Sequence, residues 1–212
     1  MGYPEVSAFI LAGGASTRMG REKGLLDFGG EPLVVRIARL LEPLAQEIIV
    51  IGTPERYSPL GLRAIADRSF LFGSDAEPVH SPLVGIATAL SVTTSPWNLM
   101  LACDMPYLTR EWIGWLLQRT VQSSAQAVMP KTSRGLEPLA AAYRKECAAQ
   151  LIAALENGIR KVTDATSELR AEVVHENEWR SLDPDDCVLR NMNTPADYRL
   201  AKEWWESGPR RP

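Results

Sequence analysis

The chain has 212 residues, of which 45% are hydrophobic and 23% charged, and its formal net charge is −3 at pH 7. This composition fits one soluble globular domain and lacks the basic surplus of a nucleic-acid-binding protein. Three widely spaced cysteines, Cys103, Cys147 and Cys187, argue against a disulfide framework and a cysteine zinc site, and fit a reducing cytoplasm. We find neither a secretory signal nor an apolar run long enough to span a bilayer, so we expect a cytoplasmic protein with no membrane partner.

Apolar runs alternate with helix-like segments through the first two-thirds of the chain. The pattern predicts strands over residues 6–11, 47–51, 62–66, 97–103, 125–129 and 139–143. It predicts helices over residues 33–41 and 82–90, from the N-cap Thr109 through residue 117, and over residues 145–155. This alternation predicts an α/β fold of three layers, in which helices cover both faces of a Rossmann-like, mostly parallel sheet.

Toward its carboxyl end the chain becomes more polar. The pattern predicts two weak strands and a last helix, over residues 172–174, 187–189 and 195–205. Thr194 or Asn193 is a ready N-cap for this helix, because Pro195 suits the first helical position. With no repeat and no long linker, we expect one domain over residues 1–206 and a short tail over residues 207–212.

The ends of the predicted strands are the places to look for a site. In open α/β sheets, ligands bind beyond the carboxyl ends of the strands. Gly13 and Gly14 follow the first predicted strand, Asp67 follows the third and Asp104 follows the fourth. We therefore expect these residues to lie near one ligand.

The first predicted strand runs into the segment LAGGASTRMGREKGLL. Its two adjacent glycines let the backbone approach a ligand closely, and successive N–H groups can form an anion-binding nest. Arg18, Arg21 and Lys23 add positive charge, and arginine can bind phosphate oxygens in pairs. The simplest ligand is a polyphosphate, although a glycine-rich turn with solvated basic residues fits the same pattern.

Two familiar phosphate-binding motifs do not match this segment. A P-loop requires G-x-x-x-x-G-K-[ST], whereas here Gly14 is followed by Gly20 and the lysine comes at Lys23. A dinucleotide-binding fold requires G-x-G-x-x-G and an acidic residue after the second strand, and neither is present. The sequence therefore disfavours an NAD-dependent enzyme.

The pattern L-A-G-G-x-S-x-R-M-G-x-x-K-x-L-L resembles the opening motif of the molybdenum cofactor guanylyltransferases, the MobA-like group of nucleotidyltransferases. Further segments are similar to that family: D-M-P at 104–106, E-P-L at 137–139, and N-M-N-T-P at 191–195. S-P-L-V-G at 81–85 also matches, but Ser81 replaces the family's usual glycine. The stretch from Asp67 to Pro82 is longer than we expect, while similar segments occur from Phe9 to Tyr198.

This resemblance implies an enzyme that transfers GMP from GTP to the terminal phosphate of molybdopterin or molybdenum-molybdopterin. The products would be the guanine dinucleotide cofactor and pyrophosphate. The resemblance implies Mg²⁺ as cofactor, and it makes molybdenum insertion proteins and molybdoenzyme chaperones candidate partners. It also divides the domain into a nucleotide-binding half, about residues 1–124, and an acceptor-binding half, about residues 125–206.

The resemblance assigns roles to individual residues of this chain. The catalytic residues would be Arg18, Lys23 and Asp104, of which Asp104 would also bind the metal. The nucleotide-binding residues would be Leu11, Ala12, Gly13, Gly14, Ser16, Lys23, Asp67, Gly85 and Asp104. Support for the metal or the phosphates would come from Asn191 and Asn193, and contacts with the acceptor from Glu137, Pro138, Arg160 and Lys161.

Plainer structural roles also fit several of these residues. Asp67 and Asp104 suit turn carboxylates, and the apolar residues after Glu137 suit a buried strand. Arg160 and Lys161 follow a glycine at a predicted helix end, where basic side chains offset the helix dipole. We interpret Cys103 as a core residue and not as a nucleophile.

Other functions remain open at the level of the sequence. The same fold serves molybdopterin cytidylyltransferases and sugar-phosphate nucleotidyltransferases, and the adjacent glycines at the first loop favour guanine only weakly. A protein of another class, a nucleotide-binding partner in cofactor delivery without catalysis, would have less need of a metal carboxylate.

Overall fold

Residues 5–13, 22–68 and 81–207 are described by the computed structural model. Within these ranges the strands are β1 (Val6–Leu11), β2 (Asp27–Phe28), β3 (Glu31–Pro32), β4 (Glu47–Ile51), β5 (Ala64–Ile65), β6 (Trp97–Ala102), β7 (Ala127–Thr132), β8 (Gly135–Leu136), β9 (Ala140–Arg144) and β10 (Ala171–His175). The helices are α1 (Leu33–Leu41), α2 (Pro54–Tyr57), α3 (Pro82–Val92), α4 (Arg110–Gln122), α5 (Cys147–Glu156), α6 (Val162–Thr166), α7 (Glu176–Trp179) and α8 (Pro195–Ser207).

In the described part of the chain, one sheet takes the strand order β10-β7-β9-β6-β1-β4-β5, with β8 paired to β7. β1 runs parallel to β4 and β6, β4 is parallel to β5, and β7 is parallel to β10. β9 alone among the strands on that path is reversed, because it pairs antiparallel with both β6 and β7. The prediction of a mostly parallel sheet is thus confirmed, and strands from both predicted halves share it.

Two apolar cores lie on opposite faces of the sheet, which explains why every residue of β1 and β6 is buried. Successive side chains of a strand point to opposite faces. Ala8 and Ile10 pack in the core that includes α1 and α4, whereas Phe9 and Leu11 pack in the core that includes α3 and α5. The predicted layers of helices on both faces are therefore present. Among the described residues, no helix is both long and apolar enough to cross a membrane.

Several predicted elements have the expected bounds, and α4 extends further. The Thr109 side chain accepts a hydrogen bond from the Trp112 N–H at 3.3 Å, which confirms the predicted N-cap. The helix continues past Leu117 to Gln122 because no glycine or proline follows Leu117 in this segment and the buried Thr120 stays on its core face.

The strand predicted over residues 187–189 is wrong. These residues form a turn, in which the buried Asp183 carboxylate accepts hydrogen bonds from the N–H groups of Cys187 and Val188 at 2.9 and 3.1 Å. The two donors are used within the loop and cannot pair with a neighbouring strand. Apolar residues at this position are buried under a turn, and an apolar run alone cannot distinguish the two arrangements.

Candidate active site

The site lies where the carboxyl ends of β4, β1 and β6 stand side by side. The Ala12 N–H donates to the Ile51 carbonyl oxygen at 2.9 Å, and the Cys103 N–H donates to the Leu11 carbonyl oxygen at 3.1 Å. The segments after β1 and β6 therefore stay in register beyond the strands. From β1 the chain first adds β4 on one side and later adds β6 on the other side. Open α/β sheets bind ligands at such a switch point in the strand order.

Three distant parts of the sequence meet at this edge. The Lys23 Nζ donates to Asp104 Oδ2 at 2.8 Å and to Asn193 Oδ1 at 2.7 Å. Asn191 Nδ2 donates to the other carboxylate oxygen, Asp104 Oδ1, at 3.2 Å. The Lys23 and Asp104 side chains are only 18% and 15% exposed. The structure thus brings together four residues that the sequence assigned to the site, as one partly buried hydrogen-bonded cluster.

The asparagine segment is fixed at both ends. The Met192 N–H donates to the Asp104 carbonyl oxygen at 2.8 Å, which docks this segment beside β6. Asp197, in the first turn of α8, accepts hydrogen bonds from the N–H groups of Asn193 and Thr194 at 2.9 and 2.8 Å. These bonds, the one from Asn193 foremost, lower the pKa of Asp197. In return the Asp197 N–H donates to Thr194 Oγ1 at 3.1 Å, so Thr194 is the N-cap.

The segment that carries Lys23 rests on Tyr57, a fully buried residue at the end of α2. The Tyr57 hydroxyl donates to Glu22 Oε1 at 2.5 Å and lies 3.3 Å from the Ala12 carbonyl oxygen. Burial, together with the bond to Glu22, raises the pKa of Tyr57. A Cβ atom on Gly52 would lie 2.8 Å from the Tyr57 ring, and one on Gly24 would lie 3.4 Å from its hydroxyl oxygen. The ring therefore fits between two glycines.

We expect Tyr57→Phe to lower the free energy of unfolding by about 1–3 kcal/mol, because the part-buried Glu22 carboxylate loses a hydrogen bond from a fully buried donor. Urea denaturation measures this change. Tyr198→Phe is the matched control, since its hydroxyl donates to the Asp27 carbonyl oxygen at 2.9 Å in an exposed setting, and its loss should be smaller. Equal losses in the two variants would contradict the anchoring role of Tyr57.

A cavity of about 360 Å³ opens beside this cluster, a size typical of small-molecule sites. The predicted site residues that line it are Leu11, Ala12, Gly13, Lys23, Asp67, Gly85, Asp104 and Asn191. A Cβ atom on Gly85 would lie 3.3 Å from a Leu11 methyl carbon, so glycine here lets α3 pack closely against the strand ends. Gly14, Ser16 and Arg18 lie outside the described residues, so the glycine loop stays a prediction at those positions.

A second cavity of about 310 Å³ adjoins the first and shares Pro82, Leu139 and Asn191 with it. Its wall includes the four residues predicted for the acceptor side, Glu137, Pro138, Arg160 and Lys161. Arg160 also donates to the Leu155 and Ile159 carbonyl oxygens at 2.6 and 3.2 Å, so the predicted helix-end role is present as well. The two roles are compatible, because the same guanidinium can bind the carbonyl oxygens at the helix end and face the cavity.

The Glu137 carboxylate is held at the base of the β7–β8 turn. Its Oε1 accepts hydrogen bonds from Thr132 Oγ1 at 2.8 Å and from the Arg134 guanidinium at 3.0 Å. Arg134 donates as well to the Leu189 carbonyl oxygen at 3.0 Å. This network links the turn that includes residues 187–189 to the wall of the second cavity.

Cys103 lies directly beside Asp104 but is unsuited to nucleophilic attack. Burial and, second to it, the neighbouring Asp104 carboxylate raise the pKa of its thiol to about 12. The thiol therefore remains protonated at neutral pH, and its contacts with the apolar core agree with the structural role predicted for it.

Three residues of the site were missed at the level of the sequence: Glu22, Tyr57 and Asp197. Asp197 had a visible signal, because a threonine followed three residues later by an acidic residue is the pattern of a capping box. Glu22 and Tyr57 had none, since their roles depend on a contact between residues that are 35 positions apart.

The side chains around Asp104 fit a small hard cation. Asp104 Oδ2 and Asn193 Oδ1 are both oxygen donors, and both already face one positive charge, the Lys23 ammonium. Mg²⁺ typically binds one or two carboxylates and completes its shell with water and phosphate oxygens. Among the described residues, no group of three or more histidine, cysteine or acidic side chains is arranged to hold a metal. The site thus fits a metal shared with a phosphate ligand better than a closed protein cage.

A mostly parallel α/β sheet with this lysine and carboxylate at its switch point defines a protein of the nucleotidyltransferase class. The sequence model of the MobA-like NTP transferase domain matches residues 8–172. The chain belongs to the MobA-like NTP transferase family, and the predicted family is confirmed.

Relatives with similar sequences extend the match to nearly the whole chain. A probable molybdenum cofactor guanylyltransferase from Pelotomaculum thermopropionicum is 33% identical over 203 residues, which cover 93% of this chain and 92% of that protein. The molybdenum cofactor guanylyltransferase of Pseudomonas aeruginosa is 34% identical over 205 residues, which cover 94% of this chain and 97% of that protein.

Solved structures confirm the fold. The molybdopterin-guanine dinucleotide biosynthesis protein A of Archaeoglobus fulgidus superposes with a TM-score of 0.78 at 24% identity, covering 93% of this chain and 97% of that protein. A CMP:2-keto-3-deoxy-manno-octonic acid synthetase in complex with CTP superposes with a TM-score of 0.71 at 14% identity, covering 97% and 100% of the two chains. The predicted three-layer nucleotidyltransferase fold is therefore present.

Proposed function

We propose that this protein transfers GMP from GTP to the terminal phosphate of molybdopterin, or of molybdenum-molybdopterin, and releases pyrophosphate. The observation that carries the proposal is the convergence of Lys23, Asp104 and Asn191 where two cavities adjoin. Asn191 lines both cavities, so a group bound in one can reach a group bound in the other. The names of the relatives support guanine as the base and molybdopterin as the acceptor.

The first cavity is the proposed GTP site. Among the described residues on its wall, Lys23 carries the positive charge. Its flexible side chain can turn from Asp104 to phosphate oxygens. The amino end of α3, an eleven-residue helix, borders the same cavity at Pro82 and favours negative charge there. The predicted phosphate contacts of Gly14, Ser16 and Arg18 would add to these.

The second cavity is the proposed acceptor site. Arg160 and Lys161 supply positive charge at its rim, and the apolar residues Pro82, Met105 and Leu139 line its wall. An acceptor with a flat organic ring system and a terminal phosphate matches that combination. The shared wall at Asn191 would then direct the phosphate toward the GTP site.

The transfer step needs no protein nucleophile. An oxygen of the acceptor phosphate forms a bond to the α-phosphorus of GTP, while the bond from that phosphorus to the bridging β-phosphate oxygen breaks. Pyrophosphate leaves with the electron pair, and Lys23 stabilises its negative charge. The protein contributes positioning and charge stabilisation, which are the main sources of rate in such transfers.

Asp104 is the proposed ligand of Mg²⁺, with Asn191 and Asn193 in support. When bound, Mg²⁺ would neutralise phosphate charge and act as a template for the two substrates. Molybdenum insertion proteins and molybdoenzyme chaperones, as the proteins that would supply the substrate or receive the product, remain proposed partners.

The test is a transfer assay with purified protein, molybdopterin, Mg²⁺ and one of GTP, CTP, ATP or UTP. We expect pyrophosphate and the dinucleotide product in equal amounts, identified by mass spectrometry, when the nucleotide is GTP and not when it is CTP, ATP or UTP. Product with CTP instead would identify a cytidylyltransferase. Nucleotide binding without pyrophosphate release, in the presence of the acceptor, would favour a non-catalytic binding protein.

A further inference from the structure

We propose that Asp197 is a positioning residue for the transfer reaction, which it serves by fixing Asn193 and, through Asn193, the ammonium of Lys23. The proposal rests on the proposed function in one respect, namely that Lys23 binds the phosphates of the nucleotide. Asp197 does not line either cavity among the described residues, so its effect would be transmitted through the residues it holds.

The first step of the argument is the geometry of the Asp197 carboxylate. One oxygen, Oδ2, accepts hydrogen bonds from two successive backbone N–H groups, those of Asn193 and Thr194. The Asp197 N–H donates back to Thr194 Oγ1. These reciprocal bonds fix the backbone at the point where the Asn193 side chain departs toward the site.

The second step is the dependence of Lys23 on Asn193. A lysine ammonium ends a flexible four-carbon side chain, so its acceptors set its position. In the described part of the chain, the Lys23 ammonium donates to two acceptors at nearly equal distances, Asp104 Oδ2 at 2.8 Å and Asn193 Oδ1 at 2.7 Å. Loss of the bond to Asn193 would leave Asp104 as the remaining described acceptor, so the ammonium would be held less firmly.

The third step separates this role from the ordinary stability of α8. The helix is packed independently of its cap: Trp204 packs edge-on against Tyr107 at 4.9 Å between ring centroids, and Tyr198 packs edge-on against Phe28 at 5.4 Å. Removal of the Asp197 carboxylate therefore leaves α8 attached to the protein and releases its first residues, where the effect on Lys23 arises.

A second capping box elsewhere in the protein provides a matched control. Glu178 in α7 accepts a hydrogen bond from the His175 N–H at 2.8 Å, and the His175 side chain caps the same turn. Glu178 lines neither of the two cavities. Glu178→Ala thus removes the same kind of helix-capping carboxylate at a distance from the site.

The test is a double-mutant cycle of Asp197→Ala with Asn193→Ala, read in kcat/KM for GMP transfer. We expect Asp197→Ala to lower kcat/KM about 10-fold in the wild-type protein, since small displacements of a positioning group cost this much or more. In the Asn193→Ala background the same substitution should change kcat/KM less than about twofold, because its route to Lys23 is already broken. Asp197→Asn, which keeps an oxygen acceptor, should restore most of the activity.

A second readout uses neither GTP nor molybdopterin, so it separates failure of this proposal from failure of the proposed function. Acetic anhydride labelling of Lys23, followed by mass spectrometry, reports how well its ammonium is held. We expect Asp197→Ala and Asn193→Ala each to raise the labelling rate severalfold, without a further increase in the double variant and without any increase in Glu178→Ala. Multiplicative effects of the two substitutions, or an Asp197→Ala variant that matches the wild type in both readouts, would overturn the proposal.

Discussion

Lys23→Ala is expected to lower kcat/KM for GMP transfer by about 10²–10³-fold, the usual cost of losing one charge contact to a transition state. Lys23 sits between Asp104 and Asn193 on the wall of the proposed GTP site, and negative charge grows on the departing pyrophosphate. Lys23→Met, which keeps most of the side-chain length without the charge, should lose a similar factor. Initial rates of pyrophosphate release measure both variants.

Lys145→Ala is the matched control for Lys23. Lys145 is exposed, and its N–H donates to the Pro96 carbonyl oxygen next to the amino end of β6, at the opposite edge of the sheet. We expect this variant to keep wild-type kinetics, while circular dichroism shows all three variants folded. A folded Lys23→Ala protein with wild-type rates would remove Lys23 from the catalytic residues.

Asp104→Asn is expected to lower kcat/KM by a comparable 10²–10³-fold, as is Asp104→Ala. The asparagine keeps the shape of the side chain and an oxygen that can accept from Lys23, but it removes the negative charge proposed to hold Mg²⁺. Because the charge alone is changed, the loss should show in the metal dependence of nucleotide binding as well as in the rate.

Calorimetric titration with GTP, with and without Mg²⁺, distinguishes the roles proposed for Lys23 and Asp104. Mg²⁺ should tighten GTP binding to the wild type and to Lys23→Ala, but should add little to the affinity of Asp104→Asn. Asp27→Asn, which changes an exposed carboxylate 3.7 Å from Lys202, should behave as the wild type does. An unchanged Mg²⁺ increment in Asp104→Asn would show that the metal binds elsewhere.

The site was predictable from the sequence wherever its residues follow a buried strand directly. Gly13 comes after β1 and Asp104 comes after β6, and parallel strands bring their carboxyl ends to one edge. The match of the opening motif added Lys23, and the N-M-N-T-P segment added Asn191 and Asn193. These positions line the first cavity or bind Lys23.

Features that depend on tertiary contacts were not predictable. The fit of Tyr57 between Gly24 and Gly52 has no local pattern, because it joins three segments that meet only in the folded protein. Residues 187–189 are apolar because they are buried, although they pair with none of the described strands. The sequence pattern of such a buried turn is the same as that of a short buried strand. The bond from Lys23 to Asn193 spans 170 positions, and no spacing in the sequence encodes such a distance.

The reversed strand β9 has a consequence for how acceptor choice can diversify within this architecture. Because β9 runs against its neighbours, its amino end and not its carboxyl end faces the two cavities. The Leu139 carbonyl oxygen, just before β9, accepts a hydrogen bond from the Ala102 N–H at 2.8 Å. The link from β7 into β9 therefore lines the proposed acceptor cavity with Glu137, Pro138 and Leu139, whereas Gly13 and Asp104 follow β1 and β6. Lengthening or shortening that link offers evolution, and protein engineering, a way to exchange the acceptor while the nucleotide machinery stays intact.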